Sequence, residues 1–212
     1  MNSLILAILV PFLTALLLAL LNGHYRIEKA VALLSSLGLT VWVFWLLFYV
    51  DAHGVQVVIV GGWMAPWGVA FVADRLTAIM LCLSTGLGML VQLYSFWTVT
   101  EQQQRYFFYP LMQAMLLGVN WSFITGDVFN LFVAYEVMLM ASYGVMMVGA
   151  SPAQVRQTLK YIAINSIGST FFVVGCGVVY ATVGTLNMAV TIMWFLAPPK
   201  HCTRFPLAQP VE

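Results

Sequence analysis

Glu136 is the residue whose chemistry fits its neighbours least. It stands in Phe129-Asn-Leu-Phe-Val-Ala-Tyr-Glu-Val-Met-Leu-Met140, a run otherwise almost wholly apolar. Counted from Val128 at 1.5 Å per residue, it lies about 12 Å inside a helix. An ionised carboxylate at that depth of a bilayer costs several kcal/mol unless it is paired or hydrated. A carboxyl group there can carry a proton, ligate an ion or form half of a buried ion pair. It can also serve as a plain polar contact between helices, although Gln or Asn would do that without the charge. Tyr143, seven residues on, lies on roughly the same helix face and is placed to donate a hydrogen bond to it.

Lys160 is the second candidate. It opens the apolar part of the next helix, in Leu159-Lys-Tyr-Ile-Ala-Ile-Asn-Ser166. One reading makes it an intramembrane cation that tunes Glu136 or receives its protons. The other makes it a lysine that snorkels to the membrane edge. It should lie well to one side of Glu136, so coupling would need intervening water. Asn165, Ser166, Gly168, Ser169 and Thr170 follow it. Small residues allow close helix packing, and polar ones can line water. Asp127 and Asn130 read as caps of the Glu136 helix, with Asn130 also able to hydrate the path to the carboxyl. Asp74-Arg75 reads as a local ion pair at a helix mouth.

These residues must be held by an apolar scaffold. Of the 212 residues, 62% are hydrophobic and only 7% are charged. A soluble domain carries roughly 25% charged residues, so lipid is the expected solvent. The fold class expected is all-α and integral to the membrane, with about six spans. They fall at about 3–21, 30–50, 76–97, 107–124, 128–149 and 153–183. Each approaches the roughly 20 residues that cross a bilayer. The first is read as a retained helix rather than a cleaved leader, since no positive residue precedes it. Between the second and third, Val55 to Val60 is β-branched and too short to span. Gly61-Gly62, Trp63 and Pro66-Trp67 then suggest a short hairpin at the membrane surface, with tryptophans at headgroup level. Ser151-Pro152 reads as a cap followed by the first residue of the sixth helix. Residues 190–212 differ in character, with a short apolar stretch and then a polar tail that leaves no room for another span.

Charge counting sets a direction. Loops one, three and five hold Arg26, Lys29, Arg105, Arg156 and Lys160, whereas loops two and four hold Arg75 alone. Lys and Arg favour the cytoplasmic side, so the N-terminus is expected outside. The net charge of +1 and the lack of a basic cluster argue against nucleic acid as a partner. Cys82, Cys176 and Cys202 have no metal-site spacing and read as free thiols. His24, His53 and His201 lie in three separate polar segments, poorly placed as haem ligands. No nucleotide-binding, hydrolase or zinc motif is present, so no cofactor, metal or enzymatic activity is expected.

Three stretches together resemble a known family. They are Gly126-Asp-Val-Phe-Asn-Leu-Phe-Val-Ala-Tyr-Glu136-Val-Met-Leu, Leu159-Lys-Tyr-Ile-Ala-Ile-Asn165 and Gly184-Thr-Leu-Asn-Met188. Trp63 to Ala73 and Phe107-Phe-Tyr-Pro-Leu111 fit as well. Over about residues 1–189, the chain resembles the D-type membrane component of multisubunit Na⁺/H⁺ antiporters of the Mrp type. That family also takes in the antiporter-like subunits of respiratory complex I and membrane hydrogenases. The resemblance implies proton translocation through a glutamate of the fifth helix, where Glu136 stands. Lys160 matches a lysine at the start of the family's sixth helix. It implies other antiporter subunits as partners in a bacterial inner membrane, with protons and Na⁺ or K⁺ as the transported ions. Relatives are roughly twice as long, so the resemblance implies a chain shortened at its C-terminal side, with a frameshift as one origin of the unlike tail. Two alternatives stay open: a proton-pumping membrane-arm subunit of a redox complex, and a non-transporting membrane fragment.

Overall fold

The computed structural model describes residues 2–60, 68–149 and 151–196. Trp63 and Trp67, expected at the hairpin tip, lie outside the described residues, as does the tail from residue 197. A 3₁₀ turn at Asn2–Ile5 leads into α1 (Leu6–Leu20), and α2 follows at Tyr25–His53. A hairpin of β1 (Gln56–Ile59) and β2 (Ala70–Ala73) precedes α3 (Arg75–Thr98). A single helical turn, α4 (Glu101–Gln104), leads to α5 (Phe108–Ile124), α6 (Val128–Met146), α7 (Pro152–Val183) and α8 (Met188–Leu196). Four helices, α2, α3, α6 and α7, are long and apolar enough to cross a membrane. α1 is shorter at 15 residues but is extended by the turn before it, and α5 has 17 residues. These six run back and forth, and α5 sits centrally, packed against α1, α3 and α6.

Local chemistry explains most of the boundaries. Ser151 accepts from the Gln154 N–H, the Gln154 side chain returns the bond, and Pro152 occupies the first turn of α7. This is the reciprocal arrangement of a capping box. Asp127 caps α6 by accepting from Asn130 N–H at 2.9 Å. Gly184 ends α7 with φ +83°, a conformation that costs glycine nothing.

Some expectations are corrected. The polar patch His24–Lys29, expected between spans, belongs largely to the first turns of α2, and Glu28 is buried there. Gln102–Arg105 is not simply a loop, because Thr100 and Gln103 form a second capping box that winds α4. Asp74 and Arg75 do not pair with each other. Asp74 accepts from the Thr77 N–H at 2.7 Å as the α3 cap, and Arg75 reaches Asp51 at 2.9 Å. A carboxylate at a helix start is worth more to the free backbone N–H groups than to a neighbour that points away.

The turns on the hairpin side are stitched together. Gly126 N–H donates to Ala70 O at 2.8 Å, Val128 N–H to Leu186 O at 2.9 Å and Met188 N–H to Gly126 O at 2.9 Å. The hairpin, the α5–α6 turn and the α7–α8 turn thus share backbone hydrogen bonds. On the opposite side, Arg105 Nε donates to Tyr25 Oη at 2.7 Å. Loops one and three therefore meet at one end, as an up-and-down bundle requires.

The tightest helix crossing joins α5 to α6. A Cβ added to Gly118 would lie 2.6 Å from Met138 N and 2.8 Å from its Cα. Gly118→Ala should therefore push the helices apart and cost about 1–3 kcal/mol, read as a lowered melting temperature in detergent. Gly168→Ala, with nothing within 4 Å, should leave that temperature unchanged or raise it. A second expectation concerns acid. Hydrogen bonds from Thr77 hold the Asp74 carboxyl below the usual aspartate range. Its stabilising effect is therefore complete above the unfolded-state value and fades as pH falls through the folded one. Melting curves across that acid range should show less pH dependence in Asp74→Asn, which keeps the cap but cannot titrate.

Candidate functional site

Glu136 faces α7 from the middle of α6. Its Oε1 accepts a hydrogen bond from the Ser169 hydroxyl. The two residues line a groove of about 470 Å³ between α6 and α7, together with Phe132, Tyr143, Ser166 and Thr170. Ser166, Ser169 and Thr170 are spaced i, i+3, i+4, which places three hydroxyls on one helix face. Phe132, which also lines the groove, stacks on Phe172 with ring centroids 6.0 Å apart. In the sequence Ser169 is only one of several small polar residues. What singles it out is the contact of the α6 and α7 faces, which sequence alone does not specify.

The other candidates divide. Tyr143 is buried and lines the groove. Its ring meets Tyr161 of α7 edge-on at 5.6 Å, and it makes no hydrogen bond to Glu136. Seven residues of helix, about 10 Å of rise, separate the two, which is too far for the bond expected of it. Asn130 is drawn away by the cap, its Nδ2 donating to Thr125 Oγ1 at 2.7 Å. Ser166 lines the groove, whereas Asn165 does not. Asn165 Nδ2 is a buried donor without a partner among the described residues. Lys160 is exposed and outside the groove. Because Ser169 marks the level of Glu136 on α7, Lys160 lies nine residues away, about 13 Å toward the α6–α7 loop. Among the described residues no cation is within ion-pairing distance of Glu136.

A carboxyl halfway along α6, held by one hydroxyl and opening on a stripe of further hydroxyls, can exchange a proton with water in the groove. No group of His, Cys, Asp and Glu able to hold a metal occurs among the described residues. Cys82 and Cys176 are free.

Fold and site together define a multi-pass helical membrane protein with a carboxyl halfway along α6. Residues 63–109 match the family described as NADH-ubiquinone oxidoreductase (complex I), chain 5 N-terminus. Residues 125–203 match the family described as NADH:quinone oxidoreductase/Mrp antiporter, TM. This second match runs past Met188, further than the resemblance legible in the sequence. The D-type component of the Na⁺/H⁺ antiporter of Alkalihalophilus pseudofirmus is 38% identical over 188 residues, covering 89% of this chain and 38% of the relative. A chain in the structure of the Mrp complex from Dietzia sp. DQ12-45-1b superposes with a TM-score of 0.83 at 31% identity, covering 89% of this chain and 36% of that one. A chain of the membrane-bound sulfane sulfur reductase, an archaeal respiratory membrane complex, superposes with a TM-score of 0.84 at 28% identity, covering 91% and 40%. Residues 125–203 thus carry the membrane domain of the NADH:quinone oxidoreductase/Mrp antiporter family, and the chain as a whole is similar to the D-type components of Na⁺/H⁺ antiporters. It spans about two fifths of the length of the relatives it matches.

The geometry makes a separable expectation. Glu136→Gln and Ser169→Ala should be energetically coupled by roughly 0.6 kcal/mol or more. Glu136→Gln and Lys160→Ala should add within about 0.5 kcal/mol. Unfolding of the four variants of each pair in detergent measures both.

Proposed function

We propose that this chain is a subunit of a monovalent cation/proton antiporter and that Glu136 carries the proton. One observation bears most of the weight: a carboxyl at mid-depth, bonded to Ser169, with no cation in reach among the described residues. Left ionised there it would cost several kcal/mol, so it is suited to alternate between a protonated and a transiently hydrated state. Protons would pass along the Ser166, Ser169 and Thr170 stripe toward Tyr143. Lys160, a further step toward the α6–α7 loop, would act on Glu136 through water rather than by contact. The similarity to D-type components of Na⁺/H⁺ antiporters favours Na⁺ or K⁺ as the counter-ion, other antiporter subunits as partners, and a bacterial inner membrane as the setting. The excess of Lys and Arg in loops one, three and five favours an N-terminus outside.

A second reading, a proton-pumping membrane-arm subunit of a redox complex, draws on the likeness to the archaeal respiratory complex. It uses the same glutamate, so the counter-ion discriminates. Vesicles holding the chain with its partner subunits should dissipate a ΔpH on addition of Na⁺ or K⁺, and Glu136→Gln should reduce this to background. Proton movement that ignores both cations and follows electron transfer would favour the redox reading. Wild-type dissipation in Glu136→Gln would remove Glu136 from the mechanism. Vesicles that behave alike with and without the chain would mean a non-transporting fragment.

A further inference from the structure

A buried carboxyl lies away from the α6–α7 groove, among α2, α3 and α5. Glu28, at the start of α2, is 1% exposed and accepts the Gly23 N–H at 2.8 Å. The residues one and two turns further along its helix are Ala32 and Ser36, and both join a buried polar cluster. Gln113 Nε2 of α5 donates to Ala32 O at 3.3 Å and to Ser36 Oγ at 3.1 Å. Ser36 Oγ in turn donates to Gln92 Oε1 of α3 at 2.5 Å. Tyr109, one turn before Gln113, places its phenol within electrostatic range of Glu28 and beside the Ser95 hydroxyl of α3.

One atom of this seam has no partner among the described residues, and a second has little. Tyr109 Oη and Gln113 Oε1 belong to side chains that are wholly buried; Gln113 Oε1 meets no donor, and Tyr109 Oη has only the Ser95 hydroxyl beside it. They stand one helical turn apart on the same face of α5. A buried polar group left unpaired costs roughly 1–3 kcal/mol, and such pairs are the usual seats of internal water. The titratable groups facing Glu28 are His24 from the α1–α2 turn and Tyr109 from α5. α3 presents the neutral polar groups Gln92 and Ser95, and His24 in the α1–α2 turn brings positive charge near the carboxyl when it is protonated.

We propose that the α2–α3–α5 seam holds internal water and that Glu28 is a second protonatable site, distinct from Glu136. The Glu28 O–H bond breaks toward a water bridging Tyr109 and Gln113, and the resulting hydronium returns the proton or passes it along the seam. The proposal needs the membrane bundle but not the antiport reading, because Glu28 and Glu136 lie in different helix contacts. A bare structural role, with Glu28 as a permanent anion held by Gly23, makes the opposite forecast.

Infrared difference spectroscopy of the full chain in lipid separates the two. The chain should show a protonated carboxyl C=O band that grows on acidification and shifts in D₂O. The band should be lost in Glu28→Gln, whose amide oxygen still accepts the Gly23 N–H, and kept in Glu136→Gln. Tyr109→Phe should slow its exchange with D₂O. A spectrum identical in wild type and Glu28→Gln would overturn the proposal, as would a Glu28 band whose exchange Tyr109→Phe leaves unchanged. Circular dichroism and melting of each variant check that the bundle remains folded.

Discussion

The close crossing of α5 and α6 fixes where everything else can stand. Lipid is as apolar as leucine, so burial supplies little drive for spanning helices to associate, and close packing must supply it. Gly118 lets α5 approach the backbone of Met138, and Gly144 lets Leu111 of α5 press onto α6. Both α6 contacts lie C-terminal to Glu136, one within a turn of it and one about two turns on. They set both the rotation and the height of α6, and so turn the carboxyl toward α7 instead of toward α5. A side chain at either glycine would move the site before it touched any residue that takes part in it.

From that contact outward the bundle is held by different means at each level. Within the membrane, α1, α2 and α3 gather around α5 through small residues and through buried amides and hydroxyls. Asn120 of α5 donates to Ala7 O of α1 at 3.3 Å and accepts from Ser84 of α3 at 2.8 Å. Two turns earlier on α5, Gln113 makes the second polar tier. The apolar layer between them is formed largely by Leu116 and Leu117. At the hairpin end the constraint is the backbone itself, since unsatisfied N–H and C=O groups near hydrocarbon are costly. The turns answer it by bonding to one another, which ties β2, Gly126 and Met188 into one surface.

Much of this is legible in the sequence because it is local. Ser151-Pro152 and Asp127 announce helix starts through bonds that span three residues, and the structure places caps at both. Apolar length locates the spans, since a bilayer asks only for about 20 residues. Glu136 stands out because a charge in such a run has to be explained. What cannot be read is which faces meet. In a helix apolar on nearly every side, periodicity gives little hint of rotation. Ser169 is therefore one polar residue among four until α6 and α7 are docked. The bond expected of Tyr143 is one that two turns of helix forbid. Gln92, Gln113 and Glu28 give no sign of converging from three separate helices. Arg75 has Asp74 beside it in the chain, yet the end of α2 brings Asp51 within 2.9 Å.

The α6–α7 groove follows from the same reasoning at its open side. α7 is held to the bundle through α6, and Ile164, Ile167, Phe171 and Val178 project outward with more than half their surface uncovered. These are ordinary neighbours for hydrocarbon. The stripe beside them is not: Ser166, Ser169 and Thr170 offer hydroxyls, and Glu136 offers a carboxyl bonded to Ser169. A surface that mixes such groups is costly against lipid tails and inexpensive against water or polar protein. The wall opposite Glu136 is therefore expected to be protein or solvent, which would supply the carboxyl with the polar contacts that Ser169 alone does not.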